Sequence, residues 1–335
     1  MPLPPINPPV INSANPWATT LSDLQTLYDS PFTGAVTTRT SLLDGFDHDP
    51  SIHQFAFFDP TTHTPSQPNN QPASPTMQTA TLNTLGYSPH PLSYYLTAIR
   101  TITTSHHNPT KPFIISITGP PKDILTAYQQ ITALQALLPT TPLAAELNLS
   151  CPNIPSLPPP AYSLPSLLSY LTLLAPSRAH SPVPLGLKIP PYTYADQFTT
   201  LVSALKSTAP RCCVDFLTAT NTLGSALLLS PTPSSSPGAP ALASASGAGT
   251  GGLAGSPLHA LALGNVRILR GLLDAEEGLR GVEIIGVGGV RDLQGAERMR
   301  AVGARVVGVG SALGSEGVGV FERVCGGRVD AKARL

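Results

Sequence analysis

The octapeptide Glu146-Leu147-Asn148-Leu149-Ser150-Cys151-Pro152-Asn153 gathers residue types that chemistry uses and packing does not require. An alternating strand, AAELNLS, stops at a thiol, a proline and an asparagine. Asparagine amides both donate and accept, so Asn148 and Asn153 could hold an amide-rich ring while the Cys151 thiol moves a proton. A small buried cysteine before a Pro-Asn turn would leave the same letters. Other segments favour the site.

Gly286-Val287-Gly288-Gly289 and Gly308-Val309-Gly310-Ser311 each end an apolar run. Glycines let backbone N–H groups approach an anion closely, so two such segments in succession read as a phosphate cradle. Lys188 interrupts the apolar run LGLKIP, where an ammonium must neutralise, snorkel or find an anion. Asn83-Thr84 and Asn221-Thr222 add further amides and hydroxyls to the set. Taken singly, each of these is a turn residue.

Something must carry these groups to one place. Eight short apolar runs can be marked, at 9–14, 34–41, 113–119, 144–150, 185–190, 214–220, 282–289 and 305–311. Helical patterns follow them, at 21–29, 91–102, 121–138, 164–175, 194–207, 258–280, 293–303 and 316–324. Strands alternating with helices eight times predict an α/β fold, a single (β/α)8 TIM barrel over residues 1–335. A doubly wound open sheet is the alternative. A barrel builds its site from extended loops at the C-terminal face of the strands, and Arg39, Cys151, Lys188, Asn221 and the paired glycines all stand there. Two connections are long enough to be active-site loops, a Pro/Asn/Thr-rich one at 42–90 and a Ser/Pro/Ala/Gly-rich one at 225–256. Within the second, 230–249 is of low complexity and is expected to be mobile. The proline cluster at 156–162 suggests a closing lid over 151–163.

Composition narrows the class. The 335 residues carry 19 basic and 19 acidic side chains, and no basic stripe invites nucleic acid. The longest uncharged run, between Asp215 and Arg267, is too rich in Ser, Pro and Gly for a membrane span. Four cysteines without metal-ligand or disulfide-framework spacing suit a reducing, cytoplasmic setting. The N-terminal stretch lacks the pattern of a signal or transit peptide.

From about residue 8 to 325 the chain resembles the soluble class 1A dihydroorotate dehydrogenases. ELNLSCPN (146–153) is similar to their active-site motif, LGLKIPPY (185–192) to their flavin-lysine strand, and ATNTLG (219–224) and NTLGY (83–87) to their substrate segments. GTGGLAG (249–255), IIGVGGV (284–290) and GVGSAL (308–313) are similar to their glycine and phosphate loops. The resemblance implies an FMN oxidoreductase of pyrimidine biosynthesis, a cytoplasmic homodimer that converts dihydroorotate to orotate and passes the electrons to fumarate. It implies Cys151 as the base, with Arg39, Asn83, Asn148, Asn153, Asn221 and Thr222 on the substrate. It implies Ala14, Thr40, Asn148, Lys188, Thr220, Gly252, Gly288, Gly289, Gly310 and Ser311 around FMN. No metal is implied. Arg39 stands where the family has a lysine, and Ser13-Ala14-Asn15 where it has Ala-Ser-Gly. A forked guanidinium suits a carboxylate. A flavoprotein acting on another cyclic amide or enoate, and a non-catalytic FMN-binding barrel, are the alternatives.

Overall fold

Each of the eight apolar runs coincides with one strand of a parallel barrel, the fourth strand starting one residue early at Leu143, in the computed structural model, which describes residues 2–107, 109–154, 158–208, 212–231 and 238–327. The strands are β1 (Val10–Asn12), β2 (Val36–Thr37), β5 (Phe113–Ile117), β6 (Leu143–Asn148), β7 (Leu185–Ile189), β8 (Phe216–Ala219), β11 (Glu283–Val287) and β12 (Val306–Val309). They are ordered β1-β12-β11-β8-β7-β6-β5-β2. A parallel bridge between Ile11 and Ala35, with Gly34 N donating to Val10 O at 2.8 Å, joins the two ends. Every residue of β5 to β8 is buried, as strands covered on both faces must be. The open sheet is excluded.

Alternation along the strands sorts the interior into layers. Ile11, Ala35, Ile114, Ala144, Phe216, Ile285 and Val306 form an apolar layer, with Leu3 packed among them. Gly186 belongs there because a Cβ would stand 2.2 Å from the Phe216 ring. Two residues further along β5, β6, β7 and β8 come Ser116, Glu146, Lys188 and Thr218, all buried. The barrel therefore turns polar towards its C-terminal mouth.

Helices α1 (Leu21–Asp29), α2 (Leu92–Ser105), α3 (Pro121–Leu137), α4 (Leu164–Ala179), α5 (Ala195–Lys206), α6 (His259–Ala275) and α7 (Leu293–Ala301) follow the expected order. Thr20 and Asp23 close a capping box on α1, worth about 1 kcal/mol. Three boundaries differ clearly from expectation. Helix α6, expected over 258–280, ends at Ala275, and a 3-10 turn, Glu277–Leu279, follows it. Helix α4 runs through Pro176 to Ala179, its last turn held by Arg178, whose guanidinium grips Asp215 at 2.7 and 2.8 Å. The segment 316–324 is not one helix. Gly317, at φ +69°, separates α8 (Ser311–Glu316) from α9 (Val320–Val324).

The two long connections are not loops alone. β3 (Phe55–Phe58) and β4 (Ala80–Asn83) from the first, with β9 (Leu223–Ala226) and β10 (Gly251–Gly255) at the second, form one antiparallel sheet ordered β3-β4-β10-β9. Ala56, Phe58, Ala80, Leu82, Leu228 and Leu242 give it a small core of its own. Trp17, half-buried after β1, stacks on Phe57 with centroids 5.7 Å apart. Part of the low-complexity stretch, 232–237, lies outside the described residues; beside it, Ser230 N donates to Ala239 O and Leu242 is buried. The expected lid also falls partly outside them, at 155–157, and its far end is anchored. There Pro160–Tyr162 makes a 3-10 turn, with Ala161 N bonded to Leu149 O and Ala161 O to Tyr192 Oη.

Candidate active site

Between the barrel mouth and the antiparallel sheet lies a cleft enclosing about 1010 Å³, part of it open to solvent. The expected base, Cys151, lines it, as do the expected substrate residues Arg39, Asn83, Asn148, Asn153, Asn221 and Thr222. Ala14, Thr40, Lys188 and Thr220 stand on its walls, and Gly288, Gly289, Gly310 and Ser311 close one end. Gly252 is the exception. It lies in β10 behind the wall, where a Cβ would meet Thr222 Oγ1 at 2.2 Å, and it accepts a bond from Asn83 Nδ2 at 3.1 Å. Gly255, further along the strand, lines the cleft instead.

Strand β6 ends where the amides begin. Asn148 Nδ2 donates to Thr40 Oγ1 at 3.0 Å, while its Oδ1 accepts from Ser150 Oγ at 2.8 Å. Asn221 Nδ2 donates to that same Ser150 hydroxyl at 2.8 Å. Asn153 reaches the other way, its Nδ2 donating to Asn83 Oδ1 at 2.9 Å and to Leu85 O at 2.8 Å. The segment carrying Cys151 is thus tied to the one following β4.

Cys151 is half-buried as a residue, but its sulfur sits deep. Burial pushes the thiol above its usual range; the Asn153 N–H, the Tyr87 hydroxyl, Lys188 and Arg39 pull it back. Lys188 reaches across the barrel, with Nζ 3.1 Å from Ser13 Oγ and 3.2 Å from Ala14 O. Burial lowers its pKa, while Glu146 and Cys151 oppose the shift. Glu146 is itself buried and accepts from Ser116 Oγ at 2.9 Å and Thr218 Oγ1 at 2.6 Å.

Arg39 is the most exacting group here. It is 8% exposed, and Nη1 makes a long bond of 3.4 Å to Thr19 Oγ1. Its Nη2 is buried with no hydrogen-bond partner, and no carboxylate among the described residues pairs with it. Burial lowers its pKa, against Tyr95 and Cys151. A buried guanidinium left in that state calls for an anionic ligand.

At the glycine end, Gly288 (φ +143°) and Gly289 (φ +68°) hold backbone conformations that L side chains rarely adopt. A Cβ on Gly289 would stand 2.7 Å from Gly255 O, whereas one on Gly310 would meet nothing within 4 Å. Ser311 Oγ lies 2.7 Å from Thr81 Oγ1, so the antiparallel sheet holds this loop too.

The family profile described as dihydroorotate dehydrogenase matches residues 48–329, which include every one of these elements except β1, α1 and β2. The chain belongs to the dihydroorotate dehydrogenase family. That family is one of flavin-dependent oxidoreductases. The chain is 29% identical over 266 residues to the dihydroorotate dehydrogenase (fumarate) of Trypanosoma cruzi, covering 78% of this chain and 76% of that one. It is 26% identical over 318 residues to dihydroorotate dehydrogenase A (fumarate) of Lactococcus lactis subsp. cremoris, covering 94% and 88%. A crystal structure of ligand-free dihydroorotate dehydrogenase from Eimeria tenella superposes with a TM-score of 0.67 at 18% identity, over 94% of this chain and 82% of that one, which speaks for the fold.

Sequence reasoning passed over Glu146, Tyr87 and Gly255. Glu146 breaks an apolar strand just as Lys188 does, so the same signal was there to find. Tyr87 ends NTLGY, the segment similar to the family's substrate loop, but a tyrosine in a polar loop is ordinary and nothing in its type set it apart.

Proposed function

We propose that this chain oxidises dihydroorotate to orotate, with FMN bound in the cleft and fumarate, reduced to succinate, as the final acceptor. The buried Arg39 guanidinium, with Nη2 unbonded and no carboxylate beside it among the described residues, lines the same cleft as Cys151 and carries the reading: an anionic ring compound would satisfy the cation and meet the base. The cleft also suits the cofactor. Gly288, Gly289, Gly310 and Ser311 would hold the phosphate, the empty space at Gly310 leaving backbone accessible there. Lys188, Ala14, Thr40, Asn148 and Thr220 would border the ring.

When bound, FMN supplies the acceptor for the hydride that leaves C6 of the substrate. Cys151 Sγ, as thiolate, takes the proton from C5, so the ring loses one proton and one hydride and gains a C5–C6 double bond. Asn83, Asn153, Asn221 and Thr222 orient the ring's amides, and Arg39 binds its carboxylate. Lys188 would border the flavin ring and supply positive charge there. Steady-state assays following orotate absorbance with dihydroorotate and fumarate test this. Turnover that requires both is expected, and orotate formation indifferent to fumarate removes the acceptor.

Arg39 in the place of the family's lysine favours a second reading, oxidation or reduction of another cyclic amide or enoate. On it, dihydroorotate is a poor substrate and Arg39→Lys improves it. A cytoplasmic homodimer belongs to the main reading; four free cysteines support the reducing compartment.

A further inference from the structure

We infer that His259 is the positioning residue of the glycine loop after β11: its ring holds the Gly288 carbonyl away from the cleft and so keeps the Gly289 N–H aimed into it. The inference rests on the reading of this loop as the phosphate site, and names the side chain that orients it. His259 opens α6, and its Nδ1 lies 2.7 Å from Gly288 O. A carbonyl only accepts, so Nδ1 carries the proton. From α7, Arg298 Nε donates to His259 Nε2 at 3.1 Å, which requires a lone pair on that nitrogen. The two bonds together select one neutral tautomer of the imidazole.

The loop needs such a hold. Neither Gly288 nor Gly289 has a Cβ, so the peptide between them can turn over at little steric cost. A flipped peptide would present the Gly288 oxygen to the phosphate in place of a donor. That peptide is trans, so its N–H points opposite to its C=O. Gly288 and Gly289 line the cleft, and His259 stands behind them. With the carbonyl turned to His259, the Gly289 N–H therefore faces the cleft. It donates no hydrogen bond among the described residues, and an anion in the cleft would give it an acceptor. The contact with α6 is close along one face. A Cβ on Gly289 would stand 2.8 Å from His259 Cβ, and one on Gly288 would stand 2.4 Å from Ala262 Cβ. The glycines let the backbone lie against α6, and the imidazole decides which way the peptide faces.

The test is a fluorescence titration of the flavin-stripped full chain with FMN and with riboflavin, which has the same ring and no phosphate. His259→Phe keeps a ring in place and removes the donor. It should weaken FMN binding roughly three- to tenfold, the worth of one hydrogen bond, and leave riboflavin binding unchanged. His259→Asn, whose Nδ2 can stand in for Nδ1, should restore most of the preference for FMN. Should the phenylalanine variant fold poorly, His259→Ala deletes the same donor without the bulk and gives the same readout. A native preference for FMN that persists in the phenylalanine and alanine variants overturns the inference. Equal losses for both flavins overturn it too, since they mean that His259 only supports the fold. A native protein that binds riboflavin as tightly as FMN removes the phosphate site itself, so the two failures are told apart before any variant is compared.

Discussion

At the scale of single residues, the site is a thiol raised by burial and lowered by two cations. A base with a raised pKa is mostly protonated at neutral pH, so the rate of flavin reduction should climb as pH rises through the upper neutral and alkaline range. A flat profile from pH 6 to 9 would mean that another group takes the proton. Cys151→Ala should slow reduction ~10²–10⁴-fold, the usual worth of a positioned base, and should leave flavin bound. Arg39 presents the opposite balance, a charge costly to the empty protein and useful to the occupied one. Replacing it by methionine removes an uncompensated buried charge, and the ligand-free protein should gain about 1 kcal/mol or more. The same change should weaken substrate binding by roughly 1.5–3 kcal/mol, a charge-assisted contact. Thermal melts and KM measured on one preparation check both. A lower melting temperature with unchanged KM would place Arg39 in the scaffold.

At the scale of elements, what the sequence revealed and what it hid have separate physical causes. β5 to β8 are buried on both faces and so appear as mainly apolar runs, in which the charged Glu146 and Lys188 show themselves as violations. The antiparallel sheet leaves no such trace. Its strands are four or five residues long, and β4 pairs with β10 across a great length of chain, Asn83 opposite Gly252. Short strands whose partners are remote look like loop until paired. This sheet carries Asn83 and secures Ser311, so part of the site depends on an element that local pattern could not show. The glycine end gives the cleanest test. Gly289→Asp would disturb the fold itself, given φ +68° and a backbone oxygen 2.7 Å from its Cβ. Gly310→Asp projects its carboxylate into open space and should abolish flavin retention by repelling the phosphate, while Gly310→Ala keeps at least part of it. Full flavin occupancy in the aspartate variant would put the phosphate elsewhere.

At the scale of the whole molecule, barrel and antiparallel sheet close on one cleft, and the groups in it have complementary needs. On the proposed reading, the glycine loops would take a phosphate, Arg39 a carboxylate, and Cys151 the proton of an acidic C–H between them. Among the described residues no helix is long and apolar enough to cross a membrane. Sedimentation of the purified protein should give twice the 34.8 kDa chain mass, and a monomer would remove the homodimer from the proposal. The central claim is that dihydroorotate gives its electrons to a flavin held in this cleft. An anaerobic titration of the purified yellow protein with dihydroorotate, followed by flavin absorbance, tests it most directly. Bleaching that saturates at one equivalent per bound flavin, and colour returned by fumarate, is the expected result. A yellow protein that dihydroorotate leaves unbleached, in native form and in Arg39→Lys alike, would contradict the account.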